Sequence, residues 1–199
     1  MAADSRPGPG GMDEASDEEL MARVAKGDAS AFRRLAARYL PQALRLAYRI
    51  NGAGADAEDI AQEALLRVWI AAPRWRPTAL FRTWLYRIVL NLCLNRRRQK
   101  PFAALETAGD PADPTPDAAD RIERDEVDRM VDAAIGDLPD RQRAAITLTY
   151  QQGLSNAESA AVLGTTVSGV ETLLVRAKRA LRARLGPLLG DTTTTTAQE

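Results

Sequence analysis

The chain has 199 residues, 45% hydrophobic and 27% charged, ordinary globular proportions with room for one or two domains. It has no histidine and one cysteine, Cys93, which excludes imidazole catalysis, Cys-His nucleophiles, His/Cys zinc sites and an intrachain disulfide. Its 27 basic and 27 acidic residues cancel, a balance that at face value argues against a nucleic-acid partner.

The balance is a sum of opposed blocks. From Arg74 to Lys100 there are eight basic residues and no acidic one; from Pro101 to Asp140, twelve acidic and three basic; from Arg141 to Gly190, seven basic and two acidic. The pattern basic, acidic, basic points to two modules that can face nucleic acid and an acidic connector. No apolar run approaches 18 residues, and Met1 to Gly11 lacks the apolar core of a secretion signal. The expectation is a cytoplasmic protein without membrane insertion, and without a cofactor or metal.

In chain order, the tail 1–15 is expected to be disordered. Ser16 with Glu19 has capping-box spacing and opens a short helix carrying Leu20, Met21 and Val24, ending near Gly27. A second helical stretch carries Phe32, Leu35, Ala36 and Tyr39, with Pro41 kinking or restarting it before Leu44 and Tyr48. The third helix is read from Asp56 as N-cap to about Ala71. At 100° per residue Ile60, Ala61, Ala64, Leu65 and Val68 form a buried face. Asp59, Gln62, Glu63, Leu66 and Ile70 form an opposite stripe. Asp59, Gln62 and Glu63 alone fit a solvated face, but Leu66 and Ile70 among carboxylates fit a protein-docking surface. A paired-carboxylate site at Asp59 and Glu63 is the remaining alternative, with no third ligand to support it.

The fourth helix, from about Thr78 to Arg98, has a core stripe of Phe81, Leu85, Ile88, Val89 and Leu92. Its other ridge carries Thr83, Trp84, Arg87, Asn91, Asn95 and Arg98, preceded by Arg74, Trp75 and Arg76. Arginines neutralise phosphate and exposed tryptophans stack on unpaired bases, a combination suited to single-stranded nucleic acid. Trp75 can equally be read as core at a helix junction, and Trp84, which sits on the polar ridge, less readily so. The run Arg96-Arg97-Arg98 has no acid nearby in sequence and is read as facing phosphate, with a solvated helix end as the bland alternative. Cys93, on an apolar helix face, reads as a packing residue rather than a redox sensor.

The Pro/Asp/Ala-rich stretch 101–120 reads as a flexible linker. Beyond it, Val127, Met130, Val131 and Ala134 mark one helix, and Leu138-Pro139 opens another that stops before Gly153. Ser155 with Glu158 is a second capping box, and its helix runs to Leu163 before Gly164. A longer helix begins near Val167 with Val170, Leu174, Ala177 and Leu181 on its apolar side. A short helix, a glycine turn and a longer helix make a helix-turn-helix. Its outward side presents Ser168, Thr172, Val175, Arg176, Arg179 and Arg182, short groups for base edges followed by arginines for phosphates. The tail 191–199, with its threonine run, is expected to be disordered. The class is all-α: two small helical domains, 16–100 and 121–190, joined by a flexible acidic linker, the C-terminal one a helix-turn-helix.

These strings together resemble the bacterial extracytoplasmic-function (ECF) sigma factors of the sigma-70 family. The matching segments are DEELMARVAKGDASAF (Asp17 to Phe32), AEDIAQEALLRVW (Ala57 to Trp69), FRTWLYRIVLNLCLNRRR (Phe81 to Arg98), LPDRQRAAITLTYQQGLSNAESAAVLG (Leu138 to Gly164) and VSGVETLLVRAKRAL (Val167 to Leu181). The resemblance implies a non-enzymatic factor that binds core RNA polymerase, directs it to promoters and helps open the minus-10 region. It assigns 16–100 as sigma domain 2 and 121–190 as sigma domain 4, and an anti-sigma factor as a further partner. It implies polymerase binding by Asp59, Gln62, Glu63, Leu66 and Ile70. Minus-10 DNA would meet Arg74, Trp75, Arg76, Arg82, Thr83, Trp84, Arg87, Asn91, Arg97 and Arg98. Minus-35 duplex would meet Thr166, Ser168, Thr172, Val175, Arg176, Lys178 and Arg179. Glu171 stands where many members carry a basic residue, Leu173 where many carry arginine, and Asn95 where aspartate is common. Two rival readings remain at this point, a helix-turn-helix regulator that does not engage polymerase and a carboxylate-dependent nucleic-acid enzyme.

Overall fold

The structure, a computed structural model, describes residues 15–52, 54–99 and 129–190; the linker 101–120, Val127 of the helix expected after it, and both tails except Ala15 lie outside them. Among the described residues every regular element is a helix. The first is α1, Asp17–Val24, whose N-terminus carries the expected capping box: Ser16 accepts from the Glu19 amide while the Glu19 carboxylate accepts from the Ser16 amide. Next comes α2, Ala29–Asn51, capped by Asp28, whose carboxylate accepts from the amides of Ser30 and Ala31. Pro41 neither ends nor restarts α2; it sits on the exposed side of one continuous helix.

The third helix, α3, covers Gly54–Ala71, starting two residues before the Asp56 cap read from sequence and leaving Asp56 in its first turn. A short 3-10 turn, Ala72–Arg74, follows, and α4 covers Phe81–Gln99. Residues 78–80 are outside α4, a later start than expected. α2 is the spine of this module, packing on α1, α3 and α4, with Leu20, Leu35, Leu46, Ile60, Val68, Phe81 and Leu85 closing the core.

The second module begins with α5, helical over 129–136, followed by α6, Asp140–Ile146, which continues as a π-helical segment over Thr147–Gln151. Then α7, Asn156–Leu163, carries the second capping box, Ser155 with Glu158, and ends on Gly164 in the left-handed conformation (φ 61°), where glycine carries no Cβ penalty. The last helix, α8, runs over Val167–Gly190. Ile135, Leu138, Ala145, Ile146, Ala160, Val170, Leu174 and Ala177 form a small core of their own. Val167, expected inside, is 44% exposed, because it opens α8 before the helix reaches that core.

The modules also pack on each other. α7 lies against α4, and Ala144, Leu148, Leu154 and Val162 join the first module's core cluster. As a result α4 is covered on two sides: Phe81, Leu85 and Val89 face its own module, and Tyr86 and Leu90 are fully buried as well.

Candidate functional site

The outward stripe of α3 is as the periodicity requires. Ala57, Ile60, Ala61, Ala64, Leu65 and Val68 are buried, which turns Asp59, Gln62, Leu66 and Ile70 to solvent, with Glu63 half-buried. Leu66 is 51% and Ile70 66% exposed. Beside them, α3 and α4 bound an open groove of about 790 Å³ that also includes Leu92, Asn95 and Gln99. The carboxylates do not converge: Glu63 pairs with Arg67 at 2.9 Å, and Asp59 faces Arg96 at 3.6 Å. Among the described residues no group of three or more His, Cys, Asp or Glu side chains is placed to hold a metal ion. The surface is thus an exposed apolar pair framed by carboxylates that face arginines rather than each other.

On α4 the basic ridge divides. Arg74, Arg76, Arg87, Asn91 and Arg98 are exposed. Trp75 and Trp84 are half-buried, their ring centres 6.1 Å apart and each packed on Phe81, so each keeps part of a ring at the surface while anchored below. The tryptophans are therefore core at the helix junction in part, with the remainder of each ring at the surface. Thr83 is 5% exposed; it shares a helix face with Tyr86, Leu90 and Leu94, the side on which α7 packs. Arg82 pairs with Glu158 at 2.7 Å and Arg97 with Asp140 at 2.8 Å. Of the run Arg96-Arg97-Arg98, the first turns back towards Asp56 and Asp59 and the second meets the other module. Only its last member, Arg98, is exposed as expected.

Helices α7 and α8 meet at 96°, the crossing of a helix-turn-helix. Thr166, Ser168, Thr172, Val175, Arg176, Lys178 and Arg179 are all exposed, and Val175 is 67% so. Thr166 Oγ1 accepts from the Gly169 amide, and Thr172 Oγ1 donates to Ser168 O, fixing the first turns. Lys178 stands 4.7 Å over the Tyr150 ring, an arrangement with an exposed cation–π partner. Glu171 is exposed beside this face, whereas Leu173 turns inward onto the second core.

The residues that sequence reasoning did not single out lie between the modules: Asp132, Asp140, Arg143, Gln152 and, beyond its cap role, Glu158. Hydrogen bonds from the Ser155 amide and hydroxyl, and then Arg82, hold the Glu158 carboxyl below its ordinary value. Cys93 is fully buried, and burial pushes its thiol up to about 12.

Residues 35–101 match the family model for sigma-70 region 2, and residues 128–181 the model for sigma-70, region 4. The chain is 40% identical over 186 residues to the ECF RNA polymerase sigma factor SigM of Mycobacterium tuberculosis, covering 92% of this chain and 89% of that one. It is 34% identical to the RNA polymerase sigma-H factor of Pseudomonas aeruginosa, over 87% of this chain and 95% of the relative. Against the ECF RNA polymerase sigma-E factor of Escherichia coli it is 30% identical, over 89% and 98%. Among solved structures it resembles CnrH, determined in complex with the cytosolic domain of CnrY, with a TM-score of 0.66, 32% identity and coverage of 87% and 99%.

Proposed function

The chain belongs to the ECF sigma factors of RNA polymerase, and on that premise we propose how its surfaces divide the work of promoter-directed initiation. As an ECF sigma factor it binds core RNA polymerase, directs the enzyme to specific promoters and helps open the minus-10 region. The polymerase docks on the α3 stripe, with Leu66 and Ile70 as apolar anchors and Asp59, Gln62 and Glu63 around them. The outward face of α8, from Thr166 to Arg179, reads minus-35 duplex, its early polar residues at base edges and its arginines on phosphates. The α4 ridge with Arg74, Trp75 and Arg76 takes the opened minus-10 strand, bases stacking on the exposed ring portions of Trp75 and Trp84. Sigma domain 2 spans 16–100 and sigma domain 4 spans 121–190. Bond formation belongs to the polymerase, so the chain itself is not an enzyme; it works in the cytoplasm and is held in check by an anti-sigma factor.

The observation that carries this reading is the exposed Leu66 and Ile70 pair on the same chain as the helix-turn-helix. A stand-alone regulator has no use for the former. Purified chain, core polymerase and a promoter library test it: transcripts should start at defined positions, and Leu66→Glu should abolish them while leaving duplex binding intact. Duplex binding without directed transcription by the unmodified chain would return the protein to the regulator class.

A further inference from the structure

Helix α8 carries one carboxylate, Glu171, against five basic residues, Arg176, Lys178, Arg179, Arg182 and Arg184. Glu171 is exposed, one turn into the helix, and borders the outward face on which Ser168, Thr172 and Arg179 lie. Carboxylates elsewhere on the surface face a guanidinium, as Glu63 does with Arg67 and Asp137 with Arg184. Among the described residues Glu171 meets none. An unpaired carboxylate on a surface that approaches phosphates repels them and weakens binding to every duplex alike. Only a donor within the groove offsets that repulsion.

The neighbouring threonine hydroxyls are held against the helix's own backbone: Thr166 Oγ1 accepts from the Gly169 amide, and Thr172 Oγ1 donates to Ser168 O at 2.9 Å. Arginine and lysine only donate, and they serve the acceptors of the groove. Glu171 is the one anionic acceptor that α8 presents. Two groups in the major groove donate, N4 of cytosine and N6 of adenine. Adenine N6 stands beside the N7 lone pair, which repels a carboxylate, whereas cytosine N4 stands beside an apolar C5–H, which does not. Four residues to either side of Glu171, Val167 is 44% and Val175 67% exposed. One ridge of about 12 Å therefore carries apolar, anionic and apolar groups in turn. An exposed valine offers nothing to a phosphate but packs on the C5 methyl of thymine.

We propose that Glu171 specifies a cytosine in the minus-35 duplex, its carboxylate accepting the N4–H exposed in the major groove, with Val175 packed on the methyl of a neighbouring thymine. The inference rests on the reading of α8 as the duplex-reading helix and adds the base that it selects. Discrimination comes from the penalty of error. Guanine or thymine at that position leaves a desolvated carboxylate unpaired, and adenine sets it against N7. Repulsion of phosphates and selection of cytosine thus belong to one side chain, which lowers affinity for duplex in general and favours the site that carries the donor.

The test uses the full chain and a duplex pool randomised over the minus-35 region, at one salt concentration. The unmodified chain should select cytosine at one position with thymine beside it. Glu171→Ala should bind duplex of any sequence more tightly, yet accept all four bases at that position. Glu171→Gln should move the preference to adenine, whose N6 and N7 match an amide. N4-methylcytosine places a methyl where the free hydrogen stood. At the selected position it should weaken binding by the unmodified chain about tenfold and leave Glu171→Ala unaffected. Deoxyuridine in place of the neighbouring thymine should weaken the unmodified chain about threefold and leave Val175→Ala unaffected. A merely solvated Glu171 gives another result: the alanine variant gains affinity on every sequence and keeps the same base at every position. That outcome overturns the proposal, as does selection of a site without a G·C pair. A pool from which the unmodified chain selects nothing removes duplex reading by α8 itself, and the cytosine with it.

Discussion

Arg143 of α6 donates through Nη1 to Ile50 O at 2.8 Å, joining the second module to the C-terminal turn of α2. The Ile50 carbonyl belongs to a last turn whose carbonyls have no intrahelical donor and which carries the negative end of the helix dipole. Arg97 donates to the same oxygen at 3.2 Å. Arg143 is 3% exposed, and its remaining donors go to Ile135 O at 3.2 Å, Leu138 O at 2.9 Å and Gly136 O. Burial, then the nearby Arg97, lower its proton affinity, while Asp140 and Asp137 oppose that. It remains a buried cation satisfied almost entirely by backbone.

Removing that cation takes a donor from four carbonyls at once, of which Ile50 O keeps Arg97 and Ile135 O keeps the Leu138 amide. Arg143→Leu is expected to destabilise the second module by about 3 kcal/mol, the scale for breaking a buried charged network. Lysine should not rescue it, because a single ammonium does not reproduce the planar fork. Trp69, Trp75 and Trp84 all lie in the first module, so urea unfolding followed by circular dichroism should shift more than the tryptophan transition. Equal shifts would mean that Arg143 supports both cores equally.

Glu158 confers acid sensitivity with a definite sign. Its folded pKa lies below its ordinary value of 4.5, so a proton favours the unfolded chain. The stabilisation is complete above 4.5 and is lost as pH falls through the lowered folded value. Thermal melts of the unmodified chain should therefore weaken more steeply below pH 4.5 than those of Glu158→Gln, which caps without titrating. Parallel melting curves across that range would assign the acid transition to other carboxylates.

How far the sequence could be read follows from the reach of each signal. Both capping boxes and the two faces of α3 rest on spacings of three or four residues, and the fold keeps them. The turn at Gly164 is likewise local. The second covered face of α4 is not, because Tyr86, Leu90 and Leu94 meet residues some fifty to eighty positions later, and no periodicity within α4 records that. For the same reason Arg97 was expected to face phosphate: its carboxylate partner, Asp140, lies in the other module. Val167 fails differently, since helical phase places it on the apolar side although the core begins only at Val170, three residues into α8.

Cys93 should behave as an inert core thiol. With burial holding its pKa at about 12, a negligible fraction is thiolate near neutrality. A disulfide reagent should modify it only as fast as the chain opens, with full reaction in urea. Rapid modification of the folded chain, or a change in its activity on mild oxidation, would contradict this.

Gly169 sits in the first turn of α8, where an added Cβ would lie 2.5 Å from Thr165 Oγ1 and 3.3 Å from Thr166 Oγ1. Alanine favours a helix by about 1 kcal/mol over glycine, but the overlap costs about 1–3 kcal/mol. Gly169→Ala should therefore be neutral to destabilising, while Thr165→Ala with Gly169→Ala should be more stable than the sum of the single changes predicts. Strict additivity in that double-mutant cycle would show that the hydroxyl moves aside freely.

The division between the two DNA-facing helices makes the last prediction. Arg176 is exposed on α8, away from α4, so Arg176→Ala should weaken binding to minus-35 duplex by about tenfold and leave single-strand binding unchanged. Trp84 offers part of its ring beside Trp75, and base stacking on an aromatic is worth about 1–3 kcal/mol. Trp84→Ala should accordingly impair strand opening by tenfold or more, read with a fluorescent base in the minus-10 region, with duplex affinity intact. Trp84→Phe keeps a stacking ring over the Phe81 contact and should recover most of the opening rate, which a purely structural role for the indole would not require. If both alanine variants lower duplex affinity equally and neither alters opening, the two helices do not divide duplex reading from strand capture.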